Sequence, residues 1–184
     1  MPIGSRLAAI VIAGLIVAAC GTDDTATATR ADVGGLSATD STEGRGSSAT
    51  TPAASLRGRT LEGAAFDFAN LHGHPTVIWF WAPWCTICRA EAPSVARVAA
   101  DVGPAVTFLG VPGLGEPAAM KRFVTDTGIG GFPQVVDSDG AIWSAFGVVA
   151  QPAFAFIDAA GSVKVVSGAL TRAELESAAR ALTA

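Results

Sequence analysis

Two cysteines separated by two residues, Cys85 and Cys88, have the type and spacing that redox chemistry requires. They follow an apolar run and a tight turn at residues 82–84, so we predict that Cys85 begins a helix. Unpaired backbone N–H groups and the helix dipole stabilise a thiolate there. One helical turn places Cys88 on the same face, where it can close a small disulfide ring and resolve a mixed disulfide. The pair therefore indicates a disulfide that opens and closes, with Cys85 as the attacking, accessible sulfur.

Two other uses of this cysteine pair fit the sequence less well. A purely structural disulfide does not account for a position at a strand–turn–helix junction beside Trp84. A zinc site needs four ligands, and His72 and His74 precede the strand, so we expect them in a loop at its opposite end. We therefore predict no metal site and no cofactor.

The first twenty residues have the pattern of an export signal. Arg6 supplies a positive charge, and residues 7–19 form an apolar run that is too short to span a bilayer, which takes about 20 residues. The segment VAAC at residues 17–20 resembles the lipobox of bacterial lipoproteins, which implies cleavage before Cys20 and lipid attached to its thiol. The alternative is an ordinary secretory signal. Both predict an extracytoplasmic protein, and the first predicts one anchored to the cell membrane.

Composition divides the chain into a signal peptide at 1–19, a tether at 20–55 and a folded domain at 56–184. The tether has no aromatic residue and cannot bury enough apolar surface to offset the entropy lost on ordering, so we predict that it is disordered. The formal net charge is −4 and no block of Lys and Arg occurs, which excludes a nucleic-acid interface. Lipid on Cys20 also explains why the number of cysteines is odd.

The predicted domain alternates between strand-like and helix-like segments. Strands are predicted at 65–69, 75–81, 105–111, 134–137, 154–158 and 162–167, and helices at 86–102, 117–127, 141–146 and 171–182. Thr171 and Glu174 have the spacing of a capping box at the start of the last helix. Alternating strands and helices, followed by a hairpin and a final helix, predict an α/β domain in which helices flank a mixed central sheet.

The motif WCTIC at residues 84–88, with Glu91, Pro93 and the later pair Gln151-Pro152, resembles the thioredoxin superfamily. More narrowly, residues 60–184 are similar to its bacterial extracytoplasmic branch, which includes TlpA-like and ResA-like proteins and the actinobacterial secreted proteins of DsbE and DsbF type. The resemblance implies a thioredoxin-like fold with an inserted strand–helix unit at 106–127. It also implies a thiol:disulfide oxidoreductase acting on exported proteins or peptides.

The resemblance assigns roles to residues on both sides of the disulfide. Pro152 matches the cis-proline that faces the disulfide in this fold. The backbone of Gln151 would then form an edge with which a substrate peptide pairs. Trp84, Thr86 and Ile87 would contact the same substrate around the exchanging sulfur atoms.

Glu91 matches the glutamate that lies three residues after the second cysteine in ResA-like proteins, on the helix face of Cys88. A partly buried carboxylate with a raised pKa would exchange a proton with that resolving thiol. The alternative is a solvated glutamate paired with Arg89 or Arg97. Many thioredoxins carry a buried Asp six residues before the first cysteine, but this chain has Trp79, so Glu91 is the acid expected to assist.

The sequence alone leaves the direction of electron flow open. Thr86 and Ile87 carry no charge that would stabilise the thiolate, and they differ from the Gly-Pro pair of strongly reducing thioredoxins. Resemblance to the actinobacterial members favours an oxidase that donates its disulfide to exported proteins and is reoxidised by a membrane partner. Glu91 favours the rival, a reductase that keeps apocytochrome c thiols free. A peroxidase of peroxiredoxin type is disfavoured, because no Pro-and-Thr motif precedes Cys85.

Overall fold

A computed structural model describes residues 52–184, and the predicted signal peptide, Cys20 and nearly all of the tether lie outside the described residues. The described part has seven strands: β1 Arg57–Thr60, β2 Ala65–Asp67, β3 Thr76–Trp81, β4 Thr107–Pro112, β5 Val135–Val136, β6 Ala153–Ile157 and β7 Val163–Ser167. It has four α-helices: α1 Thr86–Val102, α2 Pro117–Thr127, α3 Ala141–Ala145 and α4 Arg172–Ala181. None of these helices is long and apolar enough to cross a membrane.

The central sheet is mixed, as predicted. Its four strands lie in the order β4-β3-β6-β7. β3 pairs in parallel with β4 and antiparallel with β6, and β6 and β7 form the predicted hairpin. β2, β1 and β5 form a second small sheet, and single bridges, Gly110 to Gln134 and Gly113 to Asp137, connect the β5 region with β4. The predicted strand–helix unit is β4 followed by α2.

The central sheet separates two apolar cores because successive side chains of a strand point to opposite faces. On β3, Val77, Trp79 and Trp81 belong to the core that α1, α2 and α4 cover. Ile78 and Phe80 belong to the other core, which is covered by α3 and by a 3-10 turn at Phe68–Leu71. Every β3 residue is buried, so the strand that leads into the cysteine motif is held on both faces.

Two segments of the N-terminal sheet differ from the prediction. β1 was not predicted, because a four-residue segment with two Arg and a Gly has low intrinsic strand preference. It forms because β2 and β5 pair with its two edges, and Gly58 leaves room for Val135, whose Cγ1 would lie 2.5 Å from an added Cβ. The strand predicted at 65–69 ends at Asp67, whose carboxylate accepts the Ala69 N–H at 2.8 Å and starts the 3-10 turn.

Candidate active site

The cysteine pair lies where the central strand β3 passes through a short turn into α1. Cys85 is the N-cap residue of α1, as predicted, and is disulfide-bonded to Cys88. The Cys85 Sγ accepts the backbone N–H of Cys88 at 3.0 Å. Cys88 is fully buried and Cys85 is 6% exposed, so Cys85 is the sulfur that a second molecule can reach. This geometry suits nucleophilic exchange at Cys85 and resolution at Cys88.

The peptide bond between Gln151 and Pro152 is cis, which confirms the predicted configuration. Pro152 directly precedes β6, and Ala153 of that strand pairs with Phe80 of β3. The antiparallel register therefore places the start of β6 beside the C-terminal end of β3, which is the end of the sheet where the cysteine turn follows β3. The Pro152 carbonyl accepts the N–H of Gly168 at 2.8 Å, which anchors this turn to the segment after β7.

Glu91 lies inside the protein and not on its surface, so the alternative of a solvated glutamate paired with arginine is wrong. It is 7% exposed, and Oε1 accepts the Leu170 N–H at 2.6 Å while Oε2 accepts the Trp79 indole N–H at 3.1 Å. Burial raises the pKa of Glu91 from 4.5 to about 7, against the opposing effect of these two hydrogen bonds. Arg89 instead pairs with Asp126 at 3.4 Å.

Exposed apolar side chains are concentrated around this site. Trp84 is 61% exposed, Ile87 56%, Leu114 60% and Val149 94%. Trp84 and Ile87 belong to the cysteine motif. The Leu114 carbonyl accepts the Trp84 indole N–H at 2.7 Å, and Val149 lies two residues before Gln151. Thr86, also in the motif, is exposed but polar. Exposed clusters of this kind mark surfaces that bind other molecules.

The two histidines lie where the sequence predicts, and two tryptophans of β3 belong to the core. Trp79 and Trp81 are fully buried in the core, and Trp81 donates its indole N–H to Gln134 at 3.0 Å. His72 and His74 precede β3 and therefore lie at the end of the strand away from the cysteines. Among residues 52–184, no group of His, Cys, Asp and Glu side chains is arranged to hold a metal ion.

A family model described as AhpC/TSA matches residues 49–166 of the chain. The chain belongs to the AhpC/TSA family. Soluble secreted antigen MPT53 of Mycobacterium tuberculosis is 45% identical over 127 residues, which cover 67% of this chain and 72% of that protein. ResA, a thiol-disulfide oxidoreductase of Geobacillus thermodenitrificans, is 26% identical over 118 residues, 63% of this chain and 67% of its own.

Two solved structures have the same fold as this chain. MTB dsbF in mixed oxidised and reduced forms has a TM-score of 0.70 and 45% identity, covering 72% of this chain and 98% of that one. A secreted Mycobacterium tuberculosis disulfide oxidoreductase homologous to E. coli DsbE has a TM-score of 0.65 and 43% identity, covering 68% and 95%. The thioredoxin-like fold and the resemblance to DsbE, DsbF and ResA proteins are therefore confirmed. The chain is a thiol:disulfide oxidoreductase of this type.

Three residues around this site were not predicted from the sequence. Leu114 lies at φ 54° between two glycines, and this Gly-Leu-Gly turn was the available signal. Val149 had only its closeness to Gln151-Pro152 as a signal. Leu170 had none, because it contacts Glu91 through its backbone across 79 residues of sequence.

Proposed function

We propose that this protein is an extracytoplasmic oxidase that donates its Cys85–Cys88 disulfide to exported proteins. The position of Cys85 at the N-terminus of the 17-residue helix α1 carries this proposal. Its sulfur accepts a backbone N–H there, and no acidic residue lies in the first turn of the helix. These features stabilise the Cys85 thiolate, and a disulfide becomes more oxidising as its reduced form becomes more stable.

The proposed reaction consists of two exchanges. A substrate thiolate attacks the Cys85 Sγ, which forms a mixed disulfide, breaks the Cys85–Cys88 bond and releases Cys88 as a thiolate that takes up a proton. A second substrate thiol then loses its proton and attacks the substrate sulfur of the mixed disulfide, which releases Cys85. The substrate is oxidised from two thiols to one disulfide, and the cysteine pair is reduced by two electrons. A membrane redox partner would reoxidise it.

In this proposal Glu91 supplies the proton that Cys88 takes up. Cys88 is fully buried, so an unprotonated Cys88 thiolate would be costly without a nearby donor. Glu91 lies one turn further along the same face of α1, and its pKa of about 7 allows it to give or accept a proton near neutral pH. The reverse transfer, from Cys88 to the Glu91 carboxylate, serves the opposite direction of exchange.

The proposed substrate is an unfolded segment of an exported polypeptide. The backbone of Gln151, beside cis-Pro152, would pair with an extended peptide, while Trp84 and Ile87 contact its side chains and Thr86 lines the path to Cys85. Broad backbone pairing with apolar contacts suits many sequences. We expect Val149→Ser to raise KM several-fold for a reduced peptide with an apolar residue beside its cysteine. Val165→Ser removes another exposed valine, from β7, and is the matched control; an equal effect would contradict the assignment.

The second candidate function is reduction of envelope disulfides, including those of apocytochrome c. The buried Glu91 favours it, because a carboxylate beside Cys88 can also remove the proton from the resolving thiol, and the ResA protein named above is a related oxidoreductase. The same residues serve both directions. The reduction potential decides which direction is favourable.

The location of this activity is also a proposal. The signal-like residues 1–19 and the secreted relatives support export, and the lipobox-like segment supports a lipid on Cys20 that anchors the protein to the membrane. Expression with radiolabelled palmitate tests the anchor. The intact chain should carry label and enter the detergent phase, whereas Cys20→Ala should lose both properties. Label on the Cys20→Ala chain would contradict lipidation at this residue.

Equilibration of the protein with glutathione buffers tests the direction of electron flow. A reduction potential of about −120 to −180 mV would support the oxidase, whereas about −270 mV or lower would support the reductase. Cys85→Ser is the control, since it must lose both peptide oxidation and insulin reduction. Activity that survives this change would contradict the role of Cys85 itself.

A further inference from the structure

The indole of Trp79 makes a polar contact that the exchange mechanism above does not use. Trp79 is fully buried in β3, and its Nε1 lies 3.1 Å from Glu91 Oε2. Its ring also stacks on Trp81 and Phe154, with centroids 6.0 and 6.4 Å away. Packing therefore fixes the direction in which the N–H points, so the carboxylate is held by a rigid donor.

We infer that Trp79 is a positioning residue, whose indole N–H orients the Glu91 carboxylate and sets the pH at which it exchanges a proton with Cys88. This inference rests on the proposed role of Glu91 and deepens it. A hydrogen bond to the ionised form of an acid favours that form, so the Trp79 donor opposes the effect of burial. Without it, burial would keep Glu91 protonated to higher pH and leave one carboxylate oxygen free to turn.

Among the described residues, no charged side chain binds the Glu91 carboxylate in place of Trp79. Glu91 forms no ion pair there, and its second donor is the backbone N–H of Leu170. The charged side chains of α1 and of the elements packed against it pair elsewhere or are exposed. They are Arg172 with Asp101, Arg180 with Glu176, Arg89 with Asp126, Glu174 in its own capping box, and the exposed Arg97, Lys121, Arg122 and Lys164. Cys88 is the titratable group that shares the buried face of α1 with Glu91.

The chain offers a matched pair of variants for this test. Trp79→Phe keeps an aromatic ring in the stack and removes the N–H that reaches Glu91. Trp81→Phe removes an equally buried indole N–H two residues along the same strand, but that N–H bonds to Gln134. An effect of Trp79→Phe that Trp81→Phe lacks is therefore due to the contact with Glu91 and not to the loss of a buried tryptophan.

The first measurement is the titration of Glu91 in the oxidised protein, where Cys85 and Cys88 do not titrate. Carboxyl carbon NMR of glutamate-labelled protein gives the pKa directly. We expect Trp79→Phe to raise the Glu91 pKa by about one unit, since the lost donor is charge-assisted, and Trp81→Phe to leave it unchanged. An unchanged pKa in Trp79→Phe, or an equal rise in both variants, would overturn the inference.

A second observation, on the unsubstituted protein, keeps the test decisive if Trp79→Phe does not fold. The Trp79 indole N–H resonance should shift with pH at the same midpoint as the Glu91 carboxyl carbon, while that of Trp81 should not. An indole resonance of Trp79 that ignores this titration would overturn the inference.

The pH profile of exchange separates this inference from the proposed function. We expect Glu91→Gln to remove the Glu91 inflection from the profile of the single-turnover reaction with a reduced peptide, leaving the rise that ionisation of the peptide thiol causes. Trp79→Phe should move that inflection upward by the same shift as the Glu91 pKa. Loss of the inflection in Glu91→Gln with no shift of it in Trp79→Phe would overturn the role of Trp79 alone. An unchanged profile in Glu91→Gln would overturn the proton-exchange role of Glu91, while oxidoreductase activity would still depend on Cys85.

Discussion

The buried carboxyl group of Glu91 predicts an unusual dependence of stability on pH. Its pKa is about 7 in the folded protein, above the ordinary glutamate value of 4.5 that applies to the unfolded chain. A carboxyl group with the higher pKa in the folded state binds its proton more tightly there, so it stabilises the fold at low pH. This contribution is complete below about pH 4.5 and is lost as the pH rises through about 7. Most salt-bridged carboxylates behave in the opposite way.

The shift in pKa gives the size of the effect. A rise of about 2.5 units corresponds to about 3 kcal/mol, most of which, about 2.5 kcal/mol, disappears between pH 5 and pH 8. Glu91→Gln removes the titrating group but keeps one oxygen to accept a hydrogen bond. Its amide nitrogen then faces the second donor, so we expect a loss of about 1 kcal/mol at pH 5 but a much smaller further loss by pH 8.

Urea unfolding of the oxidised protein at intervals from pH 5 to pH 8 measures this effect. The free energy of unfolding of the native sequence should fall across this range by about 2.5 kcal/mol more than that of Glu91→Gln. Glu62→Gln, which removes an exposed carboxylate in the β1–β2 turn, controls for the change in net charge. Parallel curves for the native sequence and Glu91→Gln would refute the raised pKa, as would a Glu62→Gln curve that flattens equally.

Three further substitutions test the site and its support. Cys88→Ser leaves a Cys85 thiolate that can attack the disulfide of an oxidised peptide, which expels one peptide thiolate, but it lacks the Cys88 thiol that would resolve the product. Mixed disulfides with oxidised peptides should therefore accumulate on non-reducing gels, and their absence would contradict exchange at Cys85. Gly110→Ala should lower the free energy of unfolding by several kcal/mol in urea titrations, because its Cβ would overlap the buried carboxamide of Gln134, and a neutral effect would contradict this packing. Thr171→Ala removes the oxygen that caps α4 and should cost about 1 kcal/mol, with Thr171→Ser as the variant that retains stability.

Short-range patterns explain why much of the fold and the cysteine site could be predicted from sequence. Cys85, Cys88 and Glu91 lie within two turns of one helix, so their spacing alone places them together. β3 is a continuous apolar run, and α4 begins with a capping box that its own sequence displays. β1 lacks such a pattern, because its strand conformation depends on partners from elsewhere in the chain.

Long-range contacts explain what the sequence could not provide. Leu114 reaches Trp84 across 30 residues and through a backbone oxygen, so its side-chain type says nothing about the contact. Leu170 reaches Glu91 through a backbone N–H. Spacing predicted that Glu91 would face Cys88, but the donors that bind the carboxylate depend on how β3 and the segment after β7 pack against α1.

The segment after β7 contacts both the turn at cis-Pro152 and the Glu91 carboxylate. The Gly168 N–H binds the carbonyl of cis-Pro152 at 2.8 Å, and two residues later the Leu170 N–H binds Glu91 Oε1. One short loop therefore holds both the edge proposed to bind substrate and the carboxylate proposed to supply the proton. A peptide that moves this edge would also move a donor of Glu91, whereas the other donor, Trp79, belongs to the fully buried β3. The carboxylate is thus bound on one side by the loop that anchors the proposed peptide-binding edge and on the other by the rigid core, and these two contacts keep it on the Cys88 face of α1.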